Sequence, residues 1–196
     1  MTWLKGIGCS VFVLALLAGV LMLGSRSYQL LRIPSSSMEP AIQAGDTLLV
    51  RTSGRTSPHR GELFVFRTSE GLTVKRVVAV GGDRVRIHEK ALFIDGKEQH
   101  EDYVIHIDAR MVPSRDEYPS PSRQSGQVGP DVVVPAASSF ALGDNRDNSF
   151  DSRNRGFYRD SEIVGPPVLI VYSHEIDPGN FMKPGALRWG RLFKGL

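Results

Sequence analysis

The stretch LTVKRVVAVGGD occupies residues 72–83 and places Lys75 within a run of aliphatic residues. Such a run, bounded by glycines, predicts a β-strand. Valines on both faces of this strand favour burial of the lysine: Val74, Val77, Val78 and Val80. Because burial disfavours the ammonium form, it lowers the pKa of a lysine, and at a pKa of about 7–8 the amine can take a proton from a hydroxyl group near pH 7. Lys75 is therefore a candidate general base. The alternative is a lysine on the wet face of the strand, with its stem over apolar neighbours.

A serine cluster upstream supplies the candidate nucleophile. Residues 33–40 read IPSSSMEP, and Ser37 is the last serine of the cluster. Taken alone, Pro-Ser-Ser-Ser is typical of a polar turn. Its position makes a catalytic role more plausible than an isolated match would, because it follows an apolar segment closely and precedes a predicted strand.

A third polar segment, GDNRDNSFDSR, occupies residues 143–153. Its alternating acidic and serine residues suggest a calcium loop, but that interpretation fails. The sixth position would be Ser152, where an EF-hand needs glycine, and the twelfth would be Tyr158, where it needs glutamate. We expect no metal site and no cofactor.

Other hydrolase chemistries find no support in the sequence. The five histidines are scattered, and no Gly-x-Ser-x-Gly or His-Glu-x-x-His pattern occurs. The net charge of +3 comes without a basic block interleaved with aromatic residues, which argues against nucleic-acid binding. The lone Cys9 excludes an internal disulfide and a cysteine-based metal site.

The apolar run at residues 6–24 predicts an uncleaved transmembrane anchor after a short N-terminal tail, residues 1–5. At about 1.5 Å per residue it reaches roughly the hydrocarbon thickness of a bilayer. The alternatives are a cleaved signal peptide, whose apolar region would be shorter and end in Ala-x-Ala, and a buried core helix. Basic groups flank the run on both sides, so charge alone does not give the orientation.

The chain after the anchor reads as one mostly β domain. We expect a linker at residues 25–32, a catalytic β domain at 33–174 and a C-terminal tail at 175–196. A proline-rich stretch predicts a surface loop at about residues 107–130 within the domain. Strands are predicted at residues 46–51, 62–67, 72–80, 84–88, 92–94, 132–134, 139–142 and 168–172, with a hairpin turn at Asp95-Gly96.

The C-terminal tail carries apolar residues at helical spacing with basic residues between them: Trp189, Leu192, Phe193 and Leu196, with Arg188, Arg191 and Lys194. This pattern predicts a short basic amphipathic helix suited to a membrane interface. The alternative is a segment that caps the domain by packing on the sheet.

Taken together, the three polar and aliphatic segments resemble the bacterial type I signal peptidase family, the membrane-bound Ser-Lys endopeptidases that remove secretory signal peptides. Residues 144–153 match the family signature at all nine specified positions. The motifs around Ser37, Asp46, Glu62 and Lys75 occur in family order. Ser36 is a departure, since many members carry glycine there.

The resemblance implies a role for each motif residue. Ser37 would be the nucleophile, and Lys75 the general base and later the general acid. The Ser35 hydroxyl and the Ser37 N–H would form the oxyanion hole, and Ser149 would orient the Lys75 amine. Two further residues, Asp151 and Arg153, would pair with each other, which would keep the carboxylate away from Lys75.

The resemblance also implies the substrate and the setting. Signal peptides of preproteins would bind as an added strand. The residue before the cut would meet four side chains whose alternative role is ordinary core packing: Ile33, Pro34, Met38 and Val74. The lipid bilayer is the second expected partner, with the domain on the extracytoplasmic face of the bacterial plasma membrane. Two rival functions are a specialised, conjugation-linked Ser-Lys peptidase and a non-catalytic membrane-anchored domain that binds peptides.

Overall fold

The computed structural model describes residues 27–54, 57–119, 131–176 and 184–196. In these ranges the chain is mostly antiparallel β-structure, as the sequence predicts. The strands are β1 (Tyr28–Arg32), β2 (Asp46–Arg51), β3 (Leu63–Thr68), β4 (Gly71–Val80), β5 (Arg84–His88), β6 (Ala91–Ile94), β7 (Lys97–Glu98), β8 (Val132–Val133), β9 (Ser138–Leu142), β10 (Tyr158–Arg159), β11 (Ile163–Gly165), β12 (Pro167–Ile176), β13 (Pro184–Leu187) and β14 (Lys194–Gly195). Two short helices, α1 (Pro113–Asp116) and α2 (Ser152–Arg155), accompany them, with 3-10 turns at Arg146–Asn148, Asp160–Glu162 and Trp189–Arg191.

The described strands form three sheets. The first has the order β1-β2-β12-β13, and β14 also pairs with β12. The second has the order β10-β9-β4-β3-β11, and the third β7-β6-β5-β8. The predicted anchor at residues 6–24 lies outside the described residues. Among the helices that the structure describes, none combines the length and the apolar composition needed to cross a bilayer.

The strand that carries Lys75 lies in the middle of the second sheet, between β3 and β9. Residues of either parity are buried in the second half of the strand. Val74 belongs to one apolar cluster with residues of the first sheet, such as Leu48 and Ile170. Val78 packs in a second cluster with residues of β5 and β6. The prediction of a buried strand around Lys75 is confirmed.

Two predicted boundaries need correction. The linker expected at residues 25–32 contains β1, which pairs antiparallel with β2 along its whole length. The surface loop expected at about 107–130 is partly built into the domain: α1 lies within it, Asp116 is buried, and Tyr118 bridges to Ile87. Residues 120–130 lie outside the described part of the chain. The hairpin turn at Asp95-Gly96 is confirmed, since both residues have positive φ angles, 53° and 76°.

The amphipathic helix predicted near the C-terminus is wrong. Trp189–Arg191 form only a 3-10 turn, Phe193 has a φ of 56°, and β14 then pairs with β12. Two of the three basic residues, Arg188 and Arg191, bond to the domain instead of facing solvent. Arg191 Nε donates to the buried Asp46 carboxylate at 3.1 Å, and both terminal nitrogens of Arg188 donate to the Ala44 carbonyl at 3.1 Å. Because these bonds tie the segment to the domain, the expected alternative of a capping segment is the observed one.

Candidate active site

The serine and the lysine meet, although 38 positions separate them. Ser37 lies in the turn between β1 and β2, and Lys75 points from β4 towards it. The Lys75 Nζ lies 2.9 Å from the Ser37 Oγ, which is a hydrogen-bond distance. The turn is fixed to the signature loop, because the Asn145 N–H donates to the Ser37 carbonyl at 3.2 Å. The main chain therefore holds the hydroxyl within reach of the amine.

The surroundings of the Lys75 amine disfavour its charged form. The residue is 2% exposed. Burial lowers the pKa of Lys75 to about 8, while Asp151 and Asp144 oppose this shift and Arg153 adds to it. At pH 7 a group with this pKa is neutral in about one molecule in ten, so a usable fraction of free base exists. A lysine of ordinary pKa would supply less than about one in a thousand.

The two carboxylates that oppose the pKa shift of Lys75 are both paired with arginine. Asp151 accepts two hydrogen bonds from the Arg153 guanidinium, at 2.9 and 2.8 Å, and one from the Gly143 N–H at 3.0 Å. Asp144 accepts two from Arg76, at 2.8 and 2.7 Å. Although burial opposes it, the Arg153 guanidinium lowers the pKa of Asp151. The expected Asp151–Arg153 pair is therefore present, and neither carboxylate forms an ion pair with Lys75.

The expected oxyanion groups lie beside the nucleophile. The Ser35 Oγ is 3.4 Å from the Ser37 Oγ and is exposed to the cleft. Within the described ranges, no acceptor is bonded to the Ser37 N–H, which leaves it free to donate to a substrate oxygen. Two such donors near the nucleophile are what stabilisation of a tetrahedral intermediate requires. The role of Ser35 stays a prediction.

Two cavities adjoin Ser37. The larger, about 420 Å³, lies over the start of β4 and is lined by Ser35, Ser37, Thr68, Ser69, Glu70, Thr73, Lys75, Asn148, Phe150, Arg155 and Tyr158. The smaller, about 390 Å³, is lined by Pro34, Ser35, Ser36, Ser37, Ala44, Asn148 and Ile176. Of the four residues expected to line a substrate pocket, only Pro34 lines one of these two cavities. The other three are buried together in one core cluster: Ile33, Met38 and Val74.

Comparison with known proteins places this geometry in a family. The sequence profile described as "Signal peptidase, peptidase S26" matches residues 3–172. The chain belongs to this family. It is therefore a serine-type endopeptidase, a hydrolase that cuts peptide bonds, as the resemblance of its motifs predicts.

Two sequence relatives of this signal peptidase family member support the assignment. It is 34% identical over 160 residues to the probable signal peptidase I-2 of Synechocystis sp. The aligned region covers 76% of this chain and 66% of that protein. It is 32% identical over 183 residues to the signal peptidase I of Leptolyngbya laminosa, with coverages of 86% and 78%. The crystal structure of a signal peptidase I from Enterococcus faecalis V583 aligns with a TM-score of 0.45 at 24% identity, over 57% of this chain and 97% of that one.

One motif residue of this signal peptidase family member is not placed as expected. Ser149 does not bond Lys75. Its Oγ is buried and makes no hydrogen bond of standard geometry, although it lies near enough to Asp151 to help lower the pKa of that carboxyl. A side chain on Gly143 would overlap both Ser149 and the Ser37 carbonyl, so glycine is needed there for the two segments to approach. The role of Ser149 towards the amine stays a prediction.

Sequence reasoning missed two residues of the site. Arg76 forms an ion pair with Asp144, and Asn148 lines both cavities next to Ser37. Each lies inside a motif that was noticed, Arg76 next to Lys75 and Asn148 next to Ser149. The close match of those motifs to the family pattern is the signal that marks these residues. The role of each residue, however, follows only from contacts between distant segments.

The depressed pKa of Lys75 predicts the pH dependence of this peptidase. Because the base must be neutral, we expect kcat/KM to rise about tenfold per pH unit at acidic pH and to level off near pH 8. The measurement is a pH–rate profile of kcat/KM on a peptide substrate. An acidic limb near the ordinary lysine pKa would contradict the burial of the amine as the cause of its reactivity.

Proposed function

We propose that this protein is a membrane-bound endopeptidase that removes N-terminal signal peptides from exported preproteins by cutting after small residues. The observation that carries the proposal is the 2.9 Å approach of the Lys75 Nζ to the Ser37 Oγ. Burial of the amine and the pairing of nearby carboxylates with arginine give that contact its chemistry. A domain that only binds peptides has no need of this arrangement.

The reaction follows from these groups. Neutral Lys75 removes the proton of the Ser37 hydroxyl while its oxygen attacks the scissile carbonyl. The negative charge on the carbonyl oxygen is stabilised by the Ser37 N–H and the Ser35 hydroxyl. Lys75, now protonated, gives its proton to the departing amine, which leaves an ester on Ser37. The neutral lysine then activates a water molecule, which hydrolyses that ester and regenerates the enzyme.

The open edge of β4 supports binding of the substrate as an added strand. The β9 strand pairs with β4 only from Arg76 onward, so residues 71–75 have no strand partner on that side in the described structure. Val77 directs its N–H and C=O towards β3. Since these groups alternate along a strand, Leu72 and Val74 direct theirs to the open edge. A peptide bound there passes next to Lys75 and Ser37.

The apolar core beneath the serine supports a preference for small residues. Met38 follows the nucleophile directly and is 2% exposed, and Val74 precedes the base and is 5% exposed. Ile33 packs with both in one cluster. Closely packed side chains leave little depth, so a substrate residue over them fits only when it is small.

A preprotein with a defined signal peptide tests this function. The purified enzyme is expected to release a mature chain whose mass corresponds to a cut after a small residue, and phenylalanine in place of that residue is expected to stop cleavage. Processing of several unrelated preproteins favours the general enzyme, whereas cleavage of one dedicated substrate would favour the specialised peptidase. Absence of any cleavage would favour the peptide-binding rival.

An apolar patch on one face of the first sheet supports contact with lipid. Leu30 pairs with Leu49, and Leu49 pairs with Leu169, so the three side chains lie on one face of the sheet. Leu30 is 65% exposed there. The β1 strand starts four positions after the apolar run at residues 6–24. We propose that this run anchors the protein in the bacterial plasma membrane and that the domain rests on the extracytoplasmic surface.

Two exposed aromatic residues of the C-terminal segment are further candidates for lipid contact. Trp189 and Phe193 are each 75% exposed, in the segment that pairs with β12. Aromatic rings of this kind favour the boundary between lipid and water. The basic helix that was expected to contact lipid is absent, so the contact proposed here rests on exposed side chains instead.

Trp189 fluorescence tests the lipid contact. The chain has two tryptophans, so the full-length Trp3→Phe variant reports Trp189 alone. In vesicles we expect blue-shifted emission that brominated acyl chains quench, because the indole would lie in the interface. Phe193→Ser is expected to weaken the quenching, and Ile107→Ser, which alters an exposed residue elsewhere, is expected to leave it unchanged. Emission at the solvent wavelength with full quenching by iodide would contradict the proposal.

A further inference from the structure

Three residues are common to the two cavities beside the nucleophile: Ser35, Ser37 and Asn148. Ser37 is the proposed nucleophile, and Ser35 is a proposed oxyanion donor. A peptide with its scissile bond on Ser37 that extends into both cavities must cross the ridge that these residues form. Asn148 is therefore placed where a substrate that occupies both cavities passes, yet the mechanism gives it no part.

The Asn148 side chain is fixed by the residue next to the nucleophile. Its Nδ2 donates a hydrogen bond of 2.9 Å to the Ser36 Oγ. A second amide, that of Asn145, donates to the Ser36 carbonyl at 3.4 Å. A glycine at position 36 would have no hydroxyl to offer. This chain therefore holds the Asn148 amide by a side-chain contact that a glycine at position 36 cannot make.

The contact with Ser36 leaves the Asn148 Oδ1 available as a hydrogen-bond acceptor. Asn148 is exposed, and within the described ranges no donor is bonded to its Oδ1. An amide can bond through both of its polar atoms at once, so the Ser36 contact does not use up the oxygen. Main-chain N–H groups are present at every position of a substrate except proline, whereas the side chains of preproteins vary. An acceptor on the ridge thus suits a main-chain N–H.

We propose that Asn148 binds the substrate main chain through its Oδ1 and that Ser36 is a positioning residue that orients the Asn148 amide for this contact. The proposal rests on the proposed endopeptidase function. Without the Ser36 hydroxyl the amide can rotate about its terminal torsion, which is broad, so that the oxygen faces the peptide for only part of the time. The hydroxyl thus acts through Asn148 and not on the reacting atoms.

The test combines enzyme variants with substrate variants. We expect Asn148→Ala to lower kcat/KM by about five- to tenfold, the size of one hydrogen bond, and Ser36→Ala by about two- to fivefold. The double variant is expected to match Asn148→Ala alone, because Ser36 has nothing left to orient. Ser36→Thr, which keeps the hydroxyl, is expected to retain most of the wild-type kcat/KM. Effects of the two single variants that multiply in the double variant would overturn the proposal.

N-methylated peptides identify the bonded group. Peptides are methylated one at a time at each main-chain nitrogen except the scissile one. At one position, wild type and Asn148→Ala are expected to cut with equal kcat/KM, since the N–H that Asn148 accepts is gone. If the Asn148→Ala defect persists on every methylated peptide, Asn148 does not bind the main chain. Cleavage by wild type but not by Ser37→Ala separates this outcome from failure of the proposed function, in which neither protein cuts.

Discussion

Replacing Lys75 with methionine is expected to lower kcat/KM by about 10²–10⁴-fold, the contribution of a positioned general base. The Lys75 amine is the group bonded to the Ser37 hydroxyl, and no histidine lines either cavity beside it in the described structure. Methionine fills a similar volume and carries no charge. The measurement is kcat/KM on a signal-peptide substrate at pH 8.

The same variant separates catalysis from stability. Burial of an amine costs free energy, as its lowered pKa records, and methionine removes that cost. We therefore expect the melting temperature of Lys75→Met to stay equal to that of wild type or to rise. Lys97→Met, which changes an exposed lysine on β7, should alter neither property. Unchanged cleavage by Lys75→Met would refute the Ser-Lys mechanism.

Most of the site could be predicted because its chemistry is written in short local motifs. A lysine among valines already indicates a buried strand and a perturbed amine, since both follow from neighbouring residues. The Asp151–Arg153 pair is also local: it joins the start of α2 to its second residue, with Asp151 capping the helix. Such contacts depend little on how the strands are arranged.

The elements that sequence reasoning misjudged depend on distant partners. Residues 28–32 are a short segment whose sequence resembles a linker. They form a strand because β2 pairs with them. The C-terminal segment has helical spacing, but its arginines reach Asp46 and Ala44, about 145 positions away, and these bonds outweigh the weak preference of a short helix. Local periodicity gives no information about such partners.

The expected substrate pocket illustrates the same limit inside the site. The resemblance implies Ile33, Met38 and Val74 as pocket residues, and the sequence leaves core packing open as their alternative. The structure buries all three in one cluster. An asparagine in a polar loop has no local mark of function, so the sequence does not single out Asn148; its contact with Ser36 does.

Replacing Arg153 with methionine is expected to cost about 3–5 kcal/mol of stability, because it leaves the buried Asp151 carboxylate without its partner. The side chains of Arg153 and Asp151 are 3% and 0% exposed. A melting curve or a urea titration measures the loss. The matched change Arg67→Met, at an exposed arginine on β3, is expected to cost little.

The Arg153→Met substitution should also change the pKa of Lys75. Arg153 lowers the pKa of Lys75 and Asp151 raises it, so removing only the arginine tips the balance towards the charged amine. We therefore expect the acidic limb of the pH–rate profile to move to higher pH and the rate at pH 7 to fall. In the double variant Asp151→Asn with Arg153→Met, the lysine loses both charges, and the limb should return towards that of wild type. A limb that stays in place in the single variant would show that the Asp151–Arg153 pair supports the loop without tuning the base.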